Sequence, residues 1–146
     1  MPELEELLQG ARRLLFVGVG NVLKSDDGVG VVISRQIIKR AGITSLTVEV
    51  SLENYIGKIN SLAPDEIVLL DCMELGEHSG SCKLLALKDI EDFTFNTHNI
   101  SLGRLGEFFP YPTYVLGIQP ENIEFGDRLS PSVQDTARQI IQLINQ

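Results

Sequence analysis

The sequence predicts an α/β fold: a three-layer α/β/α sandwich with a five-stranded, mostly parallel twisted sheet that carries one antiparallel strand. Short apolar runs alternate with segments of helical periodicity, which is the pattern of strands joined by crossover helices. Residues 67–70 are continuously apolar, as expected for a strand buried on both faces of a parallel sheet. The link from there to the apolar run 82–87 is too short for a crossover helix. We therefore expect 82–87 to be the antiparallel strand.

Residues 1–62 contain three segments with helical periodicity and two apolar or β-branched runs. The predicted helices span 3–10, 28–40 and 53–62. The predicted strands span 14–19 and 46–50. We expect Gly42 to end the second helix and Pro64 to stop the third.

The chain from residue 66 onward continues this alternation. The predicted strands span 66–71, 82–87 and 113–118, and the predicted helices span 100–109 and 130–144. Ser130 followed by Pro131 is a typical helix start, because serine caps the first turn and proline suits its first position. Without a linker, repeat or low-complexity segment, residues 1–146 should form a single domain.

Composition excludes several classes of function. The formal net charge of −8 is unsuited to a nucleic-acid surface or to docking on anionic lipid. No apolar run reaches transmembrane length, and the acidic N-terminus does not resemble a signal peptide. Cys72 and Cys82 form neither a disulfide framework nor, with His78, the paired spacings of a structural zinc site. We expect a cytoplasmic monomer without nucleic-acid or membrane partners.

A glycine-rich loop with two adjacent acids, Asp26 and Asp27, follows the first predicted strand. Either acid can cap the next helix, and the other is then an ordinary solvated acid or part of a site. The flanking glycines, Gly18 and Gly30 among them, allow close backbone approach. A dinucleotide fingerprint would need glycine where Leu23 stands, and two acids would repel a pyrophosphate. The loop suits a cation better than a phosphate.

Ligands of parallel sheets bind beyond the carboxyl ends of the strands. Asp71 ends the third predicted strand, and Gln119 follows the last one. His98 precedes a predicted helix and could lie over the same edge of the sheet. Alternatively, His98 could be a packed or capping residue, and Asp71 could be a strand-end acid exposed to water. Asp27, Asp71 and His98 together would supply two carboxylates and an imidazole. This set suits a divalent transition metal and leaves coordination positions open.

These segments resemble the [NiFe]-hydrogenase maturation endopeptidases. The resemblance rests on four stretches in the same order: the loop 18–30, the strand that ends in Asp71, Thr97-His98-Asn99, and the turn 117–120. The last two are similar to the branch that processes formate-hydrogenlyase-type large subunits. Where relatives often carry an acid followed by glycines after the second strand, this chain has Glu49 and no glycine.

The resemblance implies an endopeptidase that removes the C-terminal extension of a hydrogenase large-subunit precursor after nickel insertion. The cut would fall after the basic residue that follows the last metal-binding cysteine motif. Asp27, Asp71 and His98 would be both the metal ligands and the catalytic residues. The metal would be nickel that the precursor already holds, so the resemblance implies no tightly bound cofactor. Either metal-activated water or a carboxylate general base could perform the hydrolysis.

Two other functions stay open from the residues alone. The glycine loop could belong to a nucleotide- or phosphate-binding α/β module. The acids and the histidine could instead serve a non-catalytic nickel chaperone or assembly factor. The first alternative predicts nucleotide binding, and the second predicts metal binding without cleavage of a precursor.

Overall fold

The computed structural model describes residues 1–10, 13–90 and 107–146. The strands β1 to β5 are Leu14–Val19, Ile43–Glu49, Glu66–Cys72, Cys82–Ala86 and Thr113–Ile118. The helices α1 to α4 are Pro2–Gly10, Val29–Arg35, Ile56–Leu62 and Pro131–Ile144. Short 3₁₀ helices span Ser25–Gly28, Leu52–Tyr55 and Leu87–Asp89.

The five strands form one sheet in the order β2-β1-β3-β5-β4. β1 pairs in parallel with β2 and β3, and β3 pairs in parallel with β5. β4 is antiparallel to β5, because the short link after β3 has no room for a crossover. The predicted fold class, including its one antiparallel strand, is confirmed.

The sheet has a hydrophobic core on each face, since successive side chains of a strand point to opposite sides. Along β1, Leu14 and Phe16 pack into one core, and Leu15 and Val17 pack into the other. Helices α1, α2 and α4 cover the first face. Helix α3 covers the second. Because β1 is buried throughout, it lies in the middle layer of the sandwich.

Helix α2 is shorter than predicted, and the prediction of 28–40 was wrong at its C-terminal end. The helix stops at Arg35. The Asn145 side chain then accepts a hydrogen bond from the Ile38 backbone N–H and donates one to the Gln36 carbonyl, both at 2.9 Å. These bonds satisfy backbone groups that a continued helix would have used, so the chain leaves the helix here.

Other element boundaries also differ from the prediction. Gly42, with φ of +87°, lies in a turn between Arg40 and Ile43, and β2 therefore starts at residue 43 rather than 46. The predicted helix 53–62 is a 3₁₀ turn followed by α3, and it ends at left-handed Ala63. Of the predicted helix 100–109, residues 100–106 lie outside the described part of the chain and 107–108 form a turn. No helix within the described ranges could span a membrane.

Candidate active site

Helix α2 lies unusually close to the carboxyl ends of β1 and β3. A Cβ at Gly30 would come within 2.0 Å of the Leu70 carbonyl oxygen and 2.6 Å of the Val19 carbonyl oxygen. Gly18 is equally tight, because a Cβ there would lie 2.0 Å from the Ser34 hydroxyl. These glycines let the helix backbone rest directly on the strands. The loop between β1 and α2 is thereby held at the edge where β3 ends.

Asp27 is buried in the 3₁₀ helix of this loop. Its Oδ2 accepts a hydrogen bond from the Asn21 backbone N–H at 2.9 Å, whereas its Oδ1 is buried without a hydrogen-bond partner. Gly20, with φ of +140°, packs against Asp27 so closely that a Cβ would come within 2.0 Å of the Asp27 carbonyl oxygen. A buried carboxylate oxygen without a donor is costly, so this atom suits an incoming cation or donor.

Asp71 is buried near the end of β3, opposite Gly117 of β5. The pKa of the neighbouring Cys72 thiol depends on the charges around it. Burial raises the pKa of the Cys72 thiol, and nearby negative charges raise it further. These charges are the carboxylates of Asp71, Asp27, Asp26 and Glu74. Carboxylates from the opening loop and from the end of β3 therefore raise the pKa of the same buried thiol.

Burial and this raised pKa both argue against a nucleophilic role for Cys72. A fully buried thiol with a raised pKa is a poor nucleophile, because the thiolate is the reactive form. Cys72 is a small apolar residue of the core, as the sequence predicted.

The third predicted ligand, His98, lies outside the described residues. Within the ranges that are described, no group of three or more His, Cys, Asp or Glu side chains could hold a metal. The joint site of Asp27, Asp71 and His98 stays a prediction.

The family model described as HycI, hydrogenase maturation protease, matches residues 50–146, about two thirds of the chain. The chain belongs to this family. The matched residues include Asp71 and His98, and Asp27 precedes them. The protein is a hydrogenase maturation protease, an endopeptidase.

One curated relative and two solved structures illustrate what this chain is similar to. The hydrogenase 3 maturation protease of Escherichia coli K12 is 25% identical to this protease over 130 residues, which cover 85% of this chain and 83% of that protein. A crystal structure of a [NiFe] hydrogenase maturation protease HycI from Thermococcus kodakarensis KOD1 superimposes with a TM-score of 0.85 at 23% identity, covering 98% of this chain and 96% of that one. The solution structure of an endopeptidase HycI from Escherichia coli gives a TM-score of 0.79 at 23% identity, with 89% and 87% covered. Both structures show the same fold.

The expected helix cap at Asp26 or Asp27 is wrong, because neither the 3₁₀ helix nor α2 of the protease has a side-chain cap. Asp26 is instead fully buried and binds the loop before α4. Its carboxylate accepts hydrogen bonds from the backbone N–H groups of Glu121, Asn122 and Ser130 and from the Ser130 hydroxyl, at 2.7–3.0 Å. Asp26 is an internal anchor between two loops of the site edge.

Gln119 anchors a second loop of the protease, which follows β3. Its Oε1 accepts a hydrogen bond from the Leu75 N–H at 2.6 Å, and its Nε2 donates to the Glu74 carboxylate at 2.9 Å. Sequence reasoning placed Gln119 at this edge without assigning it a role. Its bonds fix the path of the chain just beyond β3, which contains Asp71 as its next-to-last residue.

Glu49 contributes to the site edge through its backbone. Its carbonyl accepts a hydrogen bond from the Gly20 N–H at 3.0 Å, which holds the opening loop beside β2. Its exposed side chain lies 3.6 Å from Arg35, a surface pair of little energetic weight.

Replacing Asp26 with alanine should destabilise the protease by about 3 kcal/mol, because three backbone donors lose a charged acceptor. Urea unfolding of Asp26→Ala against the unmodified chain measures this loss. The control is Asp127→Ala, an exposed acid of the same loop that should change stability by less than about 0.5 kcal/mol. Equal midpoints for the two variants would show that Asp26 does not anchor the loop.

Proposed function

We propose that this protease removes the C-terminal extension of a [NiFe]-hydrogenase large-subunit precursor after nickel has been inserted. In this proposal Asp27, Asp71 and His98 contact the nickel that the precursor carries, so the metal arrives as part of the substrate. The observation that carries the proposal is the Asp27 Oδ1 atom, a buried carboxylate oxygen without a partner at the mouth of the opening loop.

Electrostatics explains why such a site would distinguish loaded from empty precursor. Asp27 and Asp71 are both buried, and both charges act on Cys72. Neighbouring buried carboxylates repel each other, and a divalent cation relieves that repulsion. A precursor that brings nickel therefore gains binding energy at the acids, whereas a precursor without nickel leaves the buried Asp27 Oδ1 atom without a partner. An imidazole from His98 would complete a ligand set suited to nickel.

Hydrolysis of the scissile peptide bond requires an activated water and a polarised carbonyl. Nickel held at the acids could supply both by lowering the pKa of bound water and drawing charge from the carbonyl oxygen. Alternatively, a carboxylate takes the proton from water directly, and the unpaired Asp27 Oδ1 is a suitable acceptor. In both routes the same two acids are required, and no cofactor belonging to the enzyme is needed.

The test is cleavage of a [NiFe]-hydrogenase large-subunit precursor prepared with and without nickel. We expect intact-mass measurement to show loss of a C-terminal peptide in the loaded sample alone. Full-length loaded precursor persisting with excess enzyme would overturn the proposal. Metal uptake by the enzyme without any mass change would favour the nickel chaperone, and tight nucleotide binding would favour the phosphate-binding module.

A further inference from the structure

Two large apolar side chains are exposed near Asp27. Leu23 is 56% exposed and Phe125 is 87% exposed. Their segments are hydrogen-bonded to each other: the Gly126 N–H donates to the Leu23 carbonyl at 2.9 Å, and the Ser25 N–H donates to the Gly126 carbonyl at 2.8 Å. Leu23 and Phe125 therefore emerge from joined backbones at one place on the surface, here called the Leu23–Phe125 patch.

The patch stands on a well-anchored base. The Ser25 hydroxyl donates to the Glu124 carbonyl at 2.8 Å, and the Asp26 N–H donates to the Asn122 carbonyl at 2.9 Å. The Asp26 carboxylate binds the same loop at both ends, as described above. An apolar side chain that is fixed in water forgoes the stabilisation that burial would give it. Apolar surface kept in such a position is typical of a binding site for another molecule.

The position and charge of the patch indicate its occupant. Leu23 precedes Asp27 by four residues, so at most about 14 Å of extended chain separates them. A bound peptide of a few residues could therefore reach from the patch to the candidate site. The loop that carries Phe125 is acidic, with Glu121, Glu124 and Asp127 against Arg128. Acids around an apolar centre complement a peptide with apolar and basic side chains.

We propose that the Leu23–Phe125 patch binds an extended peptide of the precursor next to the scissile bond, with an apolar side chain on Phe125 and a basic one facing the acids. This inference rests on the proposed function for the identity of the partner. Docking there would hold the scissile bond over Asp27 and Asp71, since binding energy away from the reacting atoms orients a substrate.

Two other occupants fit less well. A second copy of the chain would bring two acidic rims together, which like-charge repulsion opposes. An anionic membrane surface would meet a protein of net charge −8. Both are measurable outcomes of the test below.

The test compares Phe125→Ser and Leu23→Ser with Ile38→Ser in cleavage of nickel-loaded large-subunit precursor. Ile38 is a matched control, because it is 61% exposed and follows α2, away from the loop that carries Asp27. We expect each patch variant to raise KM about tenfold with little change in kcat, as for loss of uniform binding. Phe125→Leu should restore most of the affinity. Ile38→Ser should behave like the unmodified enzyme.

Direct binding of the precursor, measured alongside cleavage, separates this inference from the proposed function. If the unmodified enzyme binds the precursor through Phe125 without cleaving it, the patch stands and the proposed function falls. The patch inference is overturned if the unmodified enzyme cleaves the precursor and the patch variants show the same KM and the same affinity for the precursor. It is also overturned if Phe125→Ser abolishes only self-association in analytical ultracentrifugation, or only binding to anionic vesicles.

Discussion

Replacement of either buried acid by its amide, Asp27→Asn or Asp71→Asn, should reduce precursor cleavage by at least about 10³-fold, within the range for loss of acid–base or electrostatic catalysis. An amide has nearly the shape of a carboxylate, but it can neither neutralise a cation nor take a proton from water. At Asp27 the new side chain can still accept the Asn21 N–H hydrogen bond. His98→Ala should abolish cleavage as well, if the histidine completes the site.

Asp27→Asn should lower cleavage activity without lowering the stability of the fold. The carboxylate holds a buried oxygen without a partner, and the neutral amide removes that charge from the interior. We therefore expect Asp27→Asn to unfold at or above the temperature of the unmodified chain, which is typical of strained functional sites. Intact-mass cleavage assays and thermal unfolding on the same samples measure both effects.

The matched control is Asp135→Asn, whose side chain is 73% exposed on α4. This variant removes the same charge from the surface, and it should cleave and unfold like the unmodified protein. If Asp27→Asn and Asp71→Asn also cleave at that rate, the assignment of these acids to the site is wrong.

The three central strands of the sheet could be predicted from the sequence because they are buried almost throughout. β1 and β5 begin and end at the predicted residues, and β3 extends one residue further than predicted. The antiparallel direction of β4 followed from the short link that precedes it. Both inferences depend on properties of neighbouring residues, which a sequence displays directly.

The C-terminal end of α2 could not be predicted from the sequence, because a residue distant in sequence determines it. Ile37 continues the apolar repeat of the helix and is buried, so periodicity predicted helix beyond Arg35. The hydrogen bonds that replace the helix come from Asn145, which is more than a hundred positions away in sequence. Tertiary contacts of this kind override local pattern.

The two acids of the opening loop illustrate the same limit at the candidate site. Their adjacency indicated a cap and a spare carboxylate, but it could not assign the roles. Asp26 makes its hydrogen bonds to residues 95 to 104 positions further along the chain, so its role as an anchor depends on the fold. Asp27 is left with an unpaired oxygen. The structure thus separates a structural acid from an available one, which the sequence pattern could not do.

Gly30→Ala should destabilise the chain by about 3 kcal/mol or more, as overpacking against an unyielding core does. The new methyl group would overlap the carbonyl oxygens of Leu70 and Val19, which belong to β3 and β1 and cannot rotate away. Relief would require α2 to move off the sheet, and Asp27 would move with it. Molecules that remain folded should therefore cleave precursor at least about 100-fold more slowly, since misplacement of about 1 Å has that effect.

Gly57→Ala gives the contrast that makes this prediction specific. Gly57 lies in α3, and a Cβ there would meet nothing within 4 Å. The same substitution should stabilise the chain by about 0.5–1 kcal/mol, because alanine has less freedom to lose on folding and a higher helix propensity. Urea unfolding of both variants measures the difference, and Gly57→Ala should cleave normally. If Gly30→Ala matched Gly57→Ala in unfolding midpoint and cleavage rate, α2 would not need its close contact with the strands, and that contact could not be what positions Asp27.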